Sequence, residues 1–183
     1  MKNTVKNDNN KTGRKKDHQQ VFQLTEEAFR EMEHSDHQEQ FLLEKLRKSE
    51  AFIPELSLVA EDEKGTIAGH ILFTKIKIVN NSESFDSLAL APVSVKPEFQ
   101  NRGLGGKLIL EGHRIAKELG YESVILIGHE NYYPRFGYKK TSNFGISFPF
   151  DIPEENGMAV ELVKDGLKNK TGVVKYPQEF GID

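Results

Sequence analysis

Two segments of the chain hold residues whose types and spacing can do chemistry. The first reads Phe99-Gln100-Asn101-Arg102-Gly103-Leu104-Gly105-Gly106-Lys107. It lies between a strand-like run ending at Val95 and a helix-like run starting near Gly103. A glycine-crowded turn at the mouth of a helix is an anion site, because the first-turn N–H groups have no intrahelical partner and the helix dipole favours negative charge there. Gly103, Gly105 and Gly106 let a phosphate approach the backbone, and Arg102 and Lys107 add positive charge. The second segment reads Gly128-His129-Glu130-Asn131-Tyr132-Tyr133-Pro134-Arg135-Phe136-Gly137-Tyr138. A tyrosine with a reference pKa near ~10 can protonate a departing thiolate, and a histidine can accept a proton near neutrality. Read from the residues alone, Tyr132 and Phe136 pack the short helix, while Tyr133 is balanced between packing and chemistry.

Residue counting decides which anion the first segment suits. A P-loop needs a glycine five places before its Gly-Lys and a Ser/Thr after it; Asn101 and Leu108 stand in those places. A dinucleotide fingerprint, Gly-x-Gly-x-x-Gly, is met by Gly103 and Gly105 but fails at Leu108. A third pattern, Gln-x-x-Gly-x-Gly, is met by Gln100, Gly103 and Gly105.

The elements that must position these segments are readable from periodicity. Gln20–Arg30 carries Val21, Leu24, Ala28 and Phe29 at helical spacing, and a second helix runs from about Asp36, as its N-cap, through Phe41, Leu42, Leu43 and Leu46. Phe52-Ile53-Pro54 breaks it. Leu56–Ala60 and Thr66–Val79 read as a hairpin around Asp62-Glu63-Lys64-Gly65, and Phe85–Val95 as a third strand. Pro92 predicts a bulge or break there, with a local splay in which a ligand can borrow backbone groups. Gly103–Leu119 is the clearest helix, with Leu104, Leu108, Ile115 and Leu119 on one side and Gly120 as C-cap. Ser123–Ile127 is wholly apolar after its first residue, as in a strand buried on both faces, and pairs in parallel with Leu88–Val95. Both chemical segments leave from C-terminal ends of that pair, where open α/β sheets bind ligands. Asn131–Phe136 reads as a short helix, Met158–Val163 as a last strand, and the chain after Gly166 as a polar tail until Tyr176-Pro177-Gln178-Glu179-Phe180.

Composition sets bounds. At 183 residues one domain is the default, expected here over 17–183. Residues 1–16 hold Lys2, Lys6, Lys11, Arg14, Lys15 and Lys16 against Asp8, and are expected to be a solvated, poorly ordered segment or a degenerate first strand. They lack the apolar stretch of a secretory signal, and no run approaches the ~20 apolar residues of a membrane span. A net charge of −3 argues against a nucleic-acid partner. The chain has no cysteine, which excludes disulfides and thiol nucleophiles and fits a cytoplasmic protein. His34 and His37 are read as surface residues, and no metal site is expected.

Several separated motifs together resemble one family. Leu88-Ala89-Leu90-Ala91-Pro92-Val93-Ser94-Val95-Lys96-Pro97, followed by Gln100-Asn101-Arg102-Gly103-Leu104-Gly105, looks like the fourth strand and pyrophosphate loop of the GNAT N-acetyltransferases. Gly128-His129 through Tyr138 looks like the end of the family's fifth strand and the segment after it. Gly69-His70-Ile71-Leu72-Phe73, Phe148-Pro149-Phe150 and the Tyr176–Phe180 stretch are similar to the YhbS-type subgroup, and the likeness covers about residues 20–181.

The resemblance implies an α/β fold of α+β character: a mixed, splayed sheet of six to seven strands with helices on both faces. It implies acetyl-CoA as co-substrate, with its pantetheine arm along Val93, Ser94 and Val95 and its pyrophosphate on the loop of Gln100, Asn101, Arg102, Gly103, Leu104, Gly105, Gly106 and Lys107. Phe136 joins that cofactor-binding set, Tyr133 matches the thiolate-protonating tyrosine, and amide N–H groups near Val93 would polarise the thioester carbonyl. The implied activity is direct acetyl transfer to a primary amine of a small molecule or peptide. His70, His129, Glu130 and water are all open as the base that must deprotonate an alkylammonium of pKa ~10.4. The alternatives are a non-catalytic acyl-CoA-sensing module and, on the basic N-terminal segment, a nucleic-acid-associated protein. A homodimer is left open.

Overall fold

The computed structural model describes residues 4–7, 15–32 and 35–182, with side chains from residue 17 onward. Most of the basic segment 1–16, and His34, lie outside the described residues. Among the described residues nine strands and three α-helices follow in the order β1 (Thr4–Asn7), α1 (Lys15–Phe29), α2 (Glu39–Leu46), β2 (Phe52–Glu61), β3 (Ile67–Val79), β4 (Ser84–Val95), α3 (Leu104–Glu118), β5 (Ser123–Ile127), β6 (Lys139–Lys140), β7 (Ile146–Ser147), β8 (Gly157–Glu161) and β9 (Gly172–Lys175). Seven strands lie on one path, β1-β2-β3-β4-β5-β8-β6; β9 pairs with β3 and β7 off that path. The sheet is mixed: β4 and β5 run parallel, whereas β1–β2, β5–β8 and β3–β9 are antiparallel.

The chain packs as two compact units, residues 1–73 with 91–115 and residues 74–90 with 116–183. In the first, α1 buries Val21 and Leu24 while α2 buries Leu43 and Leu46. Strands β2 and β3 bury Leu56, Leu58, Ile67, Ile71 and Phe73, and α3 buries Leu104 and Leu108, with Phe73 lying beside Gly112 of α3. Buried hydroxyls here are hydrogen-bonded: Ser94 Oγ donates to Thr25 Oγ1 at 3.2 Å, and Thr25 Oγ1 donates to the Val21 carbonyl at 2.9 Å. In the second unit Ile76, Ile78, Ala89, Ile125, Ile146, Ala159, Leu167 and Val174 form one cluster, edged by Phe85, Phe144, Phe148 and Tyr176.

The structure bears on several expectations, and corrects those for α2, the Phe52-Ile53-Pro54 stretch and Pro92. Helix α2 begins at Glu39 after Gln38, with no side-chain cap. Asp36 instead closes the preceding turn, its Oδ1 accepting the Gln38 N–H at 3.0 Å. Phe52-Ile53-Pro54 opens β2, since a proline is tolerated at a strand's start. β4 runs unbroken through Pro92, whose bond to Ala91 is cis. The parallel register with β5 covers only Leu88↔Val124 and Ala89↔Ile125, before that proline. A four-residue strand, β1, pairs Thr4–Asn7 with Glu61–Leu58. Among the described residues no helix is long and apolar enough to cross a membrane.

His113 on α3 yields a first prediction. Its ring meets Phe73 edge-on at 6.1 Å, and burial drives its pKa down to about 4 from 6.5. The unfolded chain therefore binds a proton that the folded chain refuses between those values. The neutral ring's contribution is whole above about pH 6.5 and is lost as pH falls toward 4. With partial exposure discounted, the loss is about 2 kcal/mol. Urea unfolding at a series of pH values should show this acid slope in the wild type and a flatter one in His113→Gln. Equal slopes would mean that His113 does not set it.

Candidate functional site

The first candidate segment is built by the end of β4 and the start of α3. Lys96 N–H donates to the Ala68 carbonyl of β3 at 3.0 Å. Since peptide groups alternate across a strand's edges, those of Val93 and Val95 turn to the opposite edge. Val93 and Val95 are half-buried, whereas the Ser94 hydroxyl is committed to Thr25 and, by the same alternation, its peptide groups face β3. A short 3₁₀ turn, Pro97–Phe99, carries the chain off the strand. Gln100 then folds back, its Nε2 donating to the Val95 carbonyl at 3.1 Å, which ties the loop to the strand it leaves.

Asn101 and Gly103 pass through positive φ, 58° and 76°, and swing the chain into α3. The first bond entering the helix is Lys107 N–H to the Gly103 carbonyl at 3.1 Å. The N–H groups of Leu104, Gly105 and Gly106 precede it and have no intrahelical acceptor. Space over Gly103 is open, with no atom within 4 Å of where a Cβ would stand. Leu104 is 1% exposed and packs in the core, so only its amide is available to a ligand. Arg102 and Lys107 are exposed, with the Arg102 guanidinium 5.7 Å from the Phe99 ring centroid. Orphan amides, open space and two cations fit a diphosphate.

The second candidate segment belongs to the other unit, at the end of β5. Gly128 ends the strand, the Tyr132 N–H donates to the His129 carbonyl at 3.0 Å, and Tyr133–Phe136 forms a single 3₁₀ turn where a short helix is expected from the sequence. Pro134 suits the start of that turn, having no N–H to lose there. Tyr133 is partly buried and lies edge-on to Tyr132 at 5.1 Å and to Tyr138 at 5.7 Å. Burial, with Tyr132 beside it, pushes the Tyr133 phenol up to about 12. It keeps its proton across the neutral and mildly alkaline range, where a proton donor needs it. Burial also raises Tyr132, opposed by Arg135, whose guanidinium stacks 4.8 Å over its ring. Phe136 packs edge-on against Tyr132 at 5.4 Å.

The three candidate bases differ sharply in setting. His70 is fully buried in β3, its Nε2 3.1 Å from the Ser57 hydroxyl. His129 and Glu130 are exposed, with Nδ1 and Oε2 3.4 Å apart.

Two residues to which sequence reasoning gives no role, Gly128 and Asn156, matter here. A Cβ on Gly128 would lie 2.8 Å from Tyr133 Cδ2 and nearer still to Cε2, so the phenol ring rests on the Gly128 backbone. Asn156 accepts the Gly128 N–H with its own carbonyl and donates its side-chain amide to the Gly128 carbonyl, both at 2.9 Å. The Asn156-Gly157 dipeptide is a turn signal in the sequence, but nothing local points it at Gly128.

Comparison with known proteins bears on this geometry. A family model described as an acetyltransferase (GNAT) domain matches residues 10–141. The chain is 39% identical over 116 residues to the uncharacterized N-acetyltransferase YjhQ of Escherichia coli K12, covering 63% of this chain and 64% of that protein, so it spans just under two thirds of that relative. It is 28% identical over 125 residues to the uncharacterized N-acetyltransferase YhbS of the same organism, covering 68% and 74%. Among solved structures, YhbS from E. coli in complex with CoA superposes with a TM-score of 0.82 at 24% identity, over 98% of this chain and 91% of that one. A GNAT family acetyltransferase from Brucella melitensis in complex with acetyl-CoA gives 0.77 at 30% identity, over 98% of both chains. With the family model spanning most of the chain and the fold shared with these structures, the protein belongs to the GNAT family of acetyltransferases.

Proposed function

We propose that the protein is an acetyl-CoA-dependent N-acetyltransferase that carries an acetyl group from the thioester directly to a primary amine of a small molecule or peptide. The observation that carries this reading is the loop opening α3. Three orphan amides at Leu104, Gly105 and Gly106, open space over Gly103 and the cations Arg102 and Lys107 make a diphosphate cradle. The Brucella relative holds acetyl-CoA at 30% identity along nearly its whole length, which supports the same donor here. In this reading Gln100 and Asn101 shape the loop, Val93 and Val95 offer backbone groups to the pantetheine arm, and Ser94 between them fastens the strand through its hydroxyl on Thr25. Tyr133 supplies the proton to the departing thiolate, and Phe136 flanks the cofactor. The acceptor amine must lose its own proton before attack. His129 and Glu130 are open to solvent for that role, whereas His70 is sealed in the core against Ser57. A cytoplasmic setting, where acetyl-CoA is made and used, goes with this assignment.

The test has two parts. Isothermal titration should show acetyl-CoA binding at micromolar protein, with affinity falling about tenfold in Arg102→Ala/Lys107→Ala as salt-sensitive cation contacts are lost. A thiol-release assay over polyamines, aminoglycosides, amino acids and peptides should then find an amine that drives CoA production. No binding removes the reading. Binding without transfer to any amine favours acyl-CoA sensing instead.

A further inference from the structure

Asn156 makes an arrangement that its backbone alone cannot. The antiparallel register of β5 with β8 ends at Ile127↔Gly157, and the next pair in sequence is Gly128 opposite Asn156. One half of that pair is ordinary: Gly128 N–H donates to the Asn156 carbonyl at 2.9 Å. The other half would need the Asn156 N–H to donate to the Gly128 carbonyl, but that N–H is spent on the Pro153 carbonyl at 3.0 Å, closing the turn into β8. The Asn156 side chain takes its place, Nδ2 donating to the Gly128 carbonyl at 2.9 Å. Both peptide groups of Gly128 are thereby held by one residue.

Gly128 is the floor on which the Tyr133 ring lies. A methyl group there would overlap the ring edge, so the ring and the Gly128 backbone are in direct contact. Tyr132 and Tyr138 brace the ring from other sides at 5.1 and 5.7 Å. A shift of Gly128 moves the plane that locates the phenol, and a misplacement of about 1 Å can cost on the order of 10²-fold in rate. We propose that Asn156 is a positioning residue for Tyr133, its side-chain amide replacing a backbone donor to hold Gly128 where the phenol ring must rest. The assignment of a catalytic use to that placement rests on the acetyl-transfer reading given above; the placement itself does not.

The side-chain chemistry is restrictive. The group opposite the Gly128 carbonyl must be a donor of this length. Aspartate has the same shape and presents an oxygen to an oxygen, while serine keeps a hydroxyl donor but is shorter. The experiment uses the full chain labelled at its tyrosine rings and compares Asn156→Ala, Asn156→Asp and Asn156→Ser by NMR and by kinetics. The Tyr133 ring resonances, set by the neighbouring rings, should move in Asn156→Ala and Asn156→Asp, while those of Tyr121 and Tyr176 stay in place. Turnover should fall about tenfold in both, with KM for acetyl-CoA within about twofold, and Asn156→Ser should recover part of the loss. In a Tyr133→Phe background, adding Asn156→Ala should cost less than about twofold, because the residue acts through the phenol.

Tyr133 resonances unchanged in both donor-less variants overturn the proposal. So does an equal loss of turnover with and without the phenol, which would make Asn156 a general structural residue. If Asn156→Ala fails to fold, the isosteric aspartate and the serine carry the comparison. If Tyr133→Phe by itself keeps full turnover, the proton-donor reading fails, and the ring resonances still decide whether Asn156 seats the ring.

Discussion

Replacing Tyr133 by phenylalanine is expected to lower turnover by about 10²-fold while leaving acetyl-CoA affinity within about twofold, the size associated with loss of a general acid. The substitution removes one oxygen and keeps the ring, so the edge-on contacts to Tyr132 and Tyr138 and the seat on Gly128 persist. Only the proton is lost. Burial holds the phenol at about 12 in the free protein, above the ~10 of a solvated tyrosine. The sign is direct: a phenol with a raised pKa stays protonated through the whole working range, so no alkaline loss of turnover between pH 8 and 10 should trace to Tyr133. The raised value also makes the phenol a weaker acid than an exposed one. Under the proposed reaction a thiolate leaving into the same water-poor surroundings would become more basic for the same reason, which would restore the match. Turnover and acetyl-CoA titration, measured from pH 6 to 10, test this. An unchanged rate in Tyr133→Phe at every pH removes the residue from the mechanism.

How much of the molecule is legible in its sequence depends on the range over which each determinant acts. Ser123–Ile127 is a strand with the bounds expected, because an apolar run enclosed by Gly120-Tyr121-Glu122 and Gly128 has no other local solution. Helix α3 is equally plain, as is the glycine turn that opens it, since a helix mouth needs only its own loop. Helix α1 starts at Lys15 rather than Gln20, because Lys15-Lys16-Asp17-His18-Gln19 extends it without adding any apolar period. Strand β9 is hidden in a stretch that reads as a polar tail. Its four residues acquire meaning by pairing with Lys77–Val79, far back in the chain, and with Ile146–Ser147. The Asn156 clamp is hidden for the same reason, since it joins groups 28 residues apart. Of the bulge or break expected at Pro92, the break is absent, since β4 runs on to Val95, although its parallel register with β5 ends at Ala89.

Strand β9 supplies the second large effect. Gly172 opens it with φ at 146°, a backbone state that side-chain-bearing residues avoid. A Cβ there would stand 2.6 Å from the carbonyl carbon of Val79, closer to its oxygen, and 3.1 Å from the Asn80 nitrogen. These are backbone atoms of β3 and the turn after it, and they cannot rotate aside. The same point is tied on other sides: Gly172 N–H donates to the Gly145 carbonyl at 3.1 Å, and Asn80 Nδ2 donates to the Thr171 carbonyl at 2.9 Å. Gly172→Ala is therefore expected to cost about 3 kcal/mol, by strain and by partial loss of the β9 pairing that holds Val174 in the core. For a chain of this size that corresponds to a fall in Tm of about 10 °C. Val173→Thr, one residue on but 42% exposed, keeps the β-branched shape and should change stability by no more than about 0.5 kcal/mol. Thermal melts of the two variants discriminate sharply. Near-equal Tm values would show that β3 yields to a side chain at 172, and that the close approach there is not what anchors the last strand.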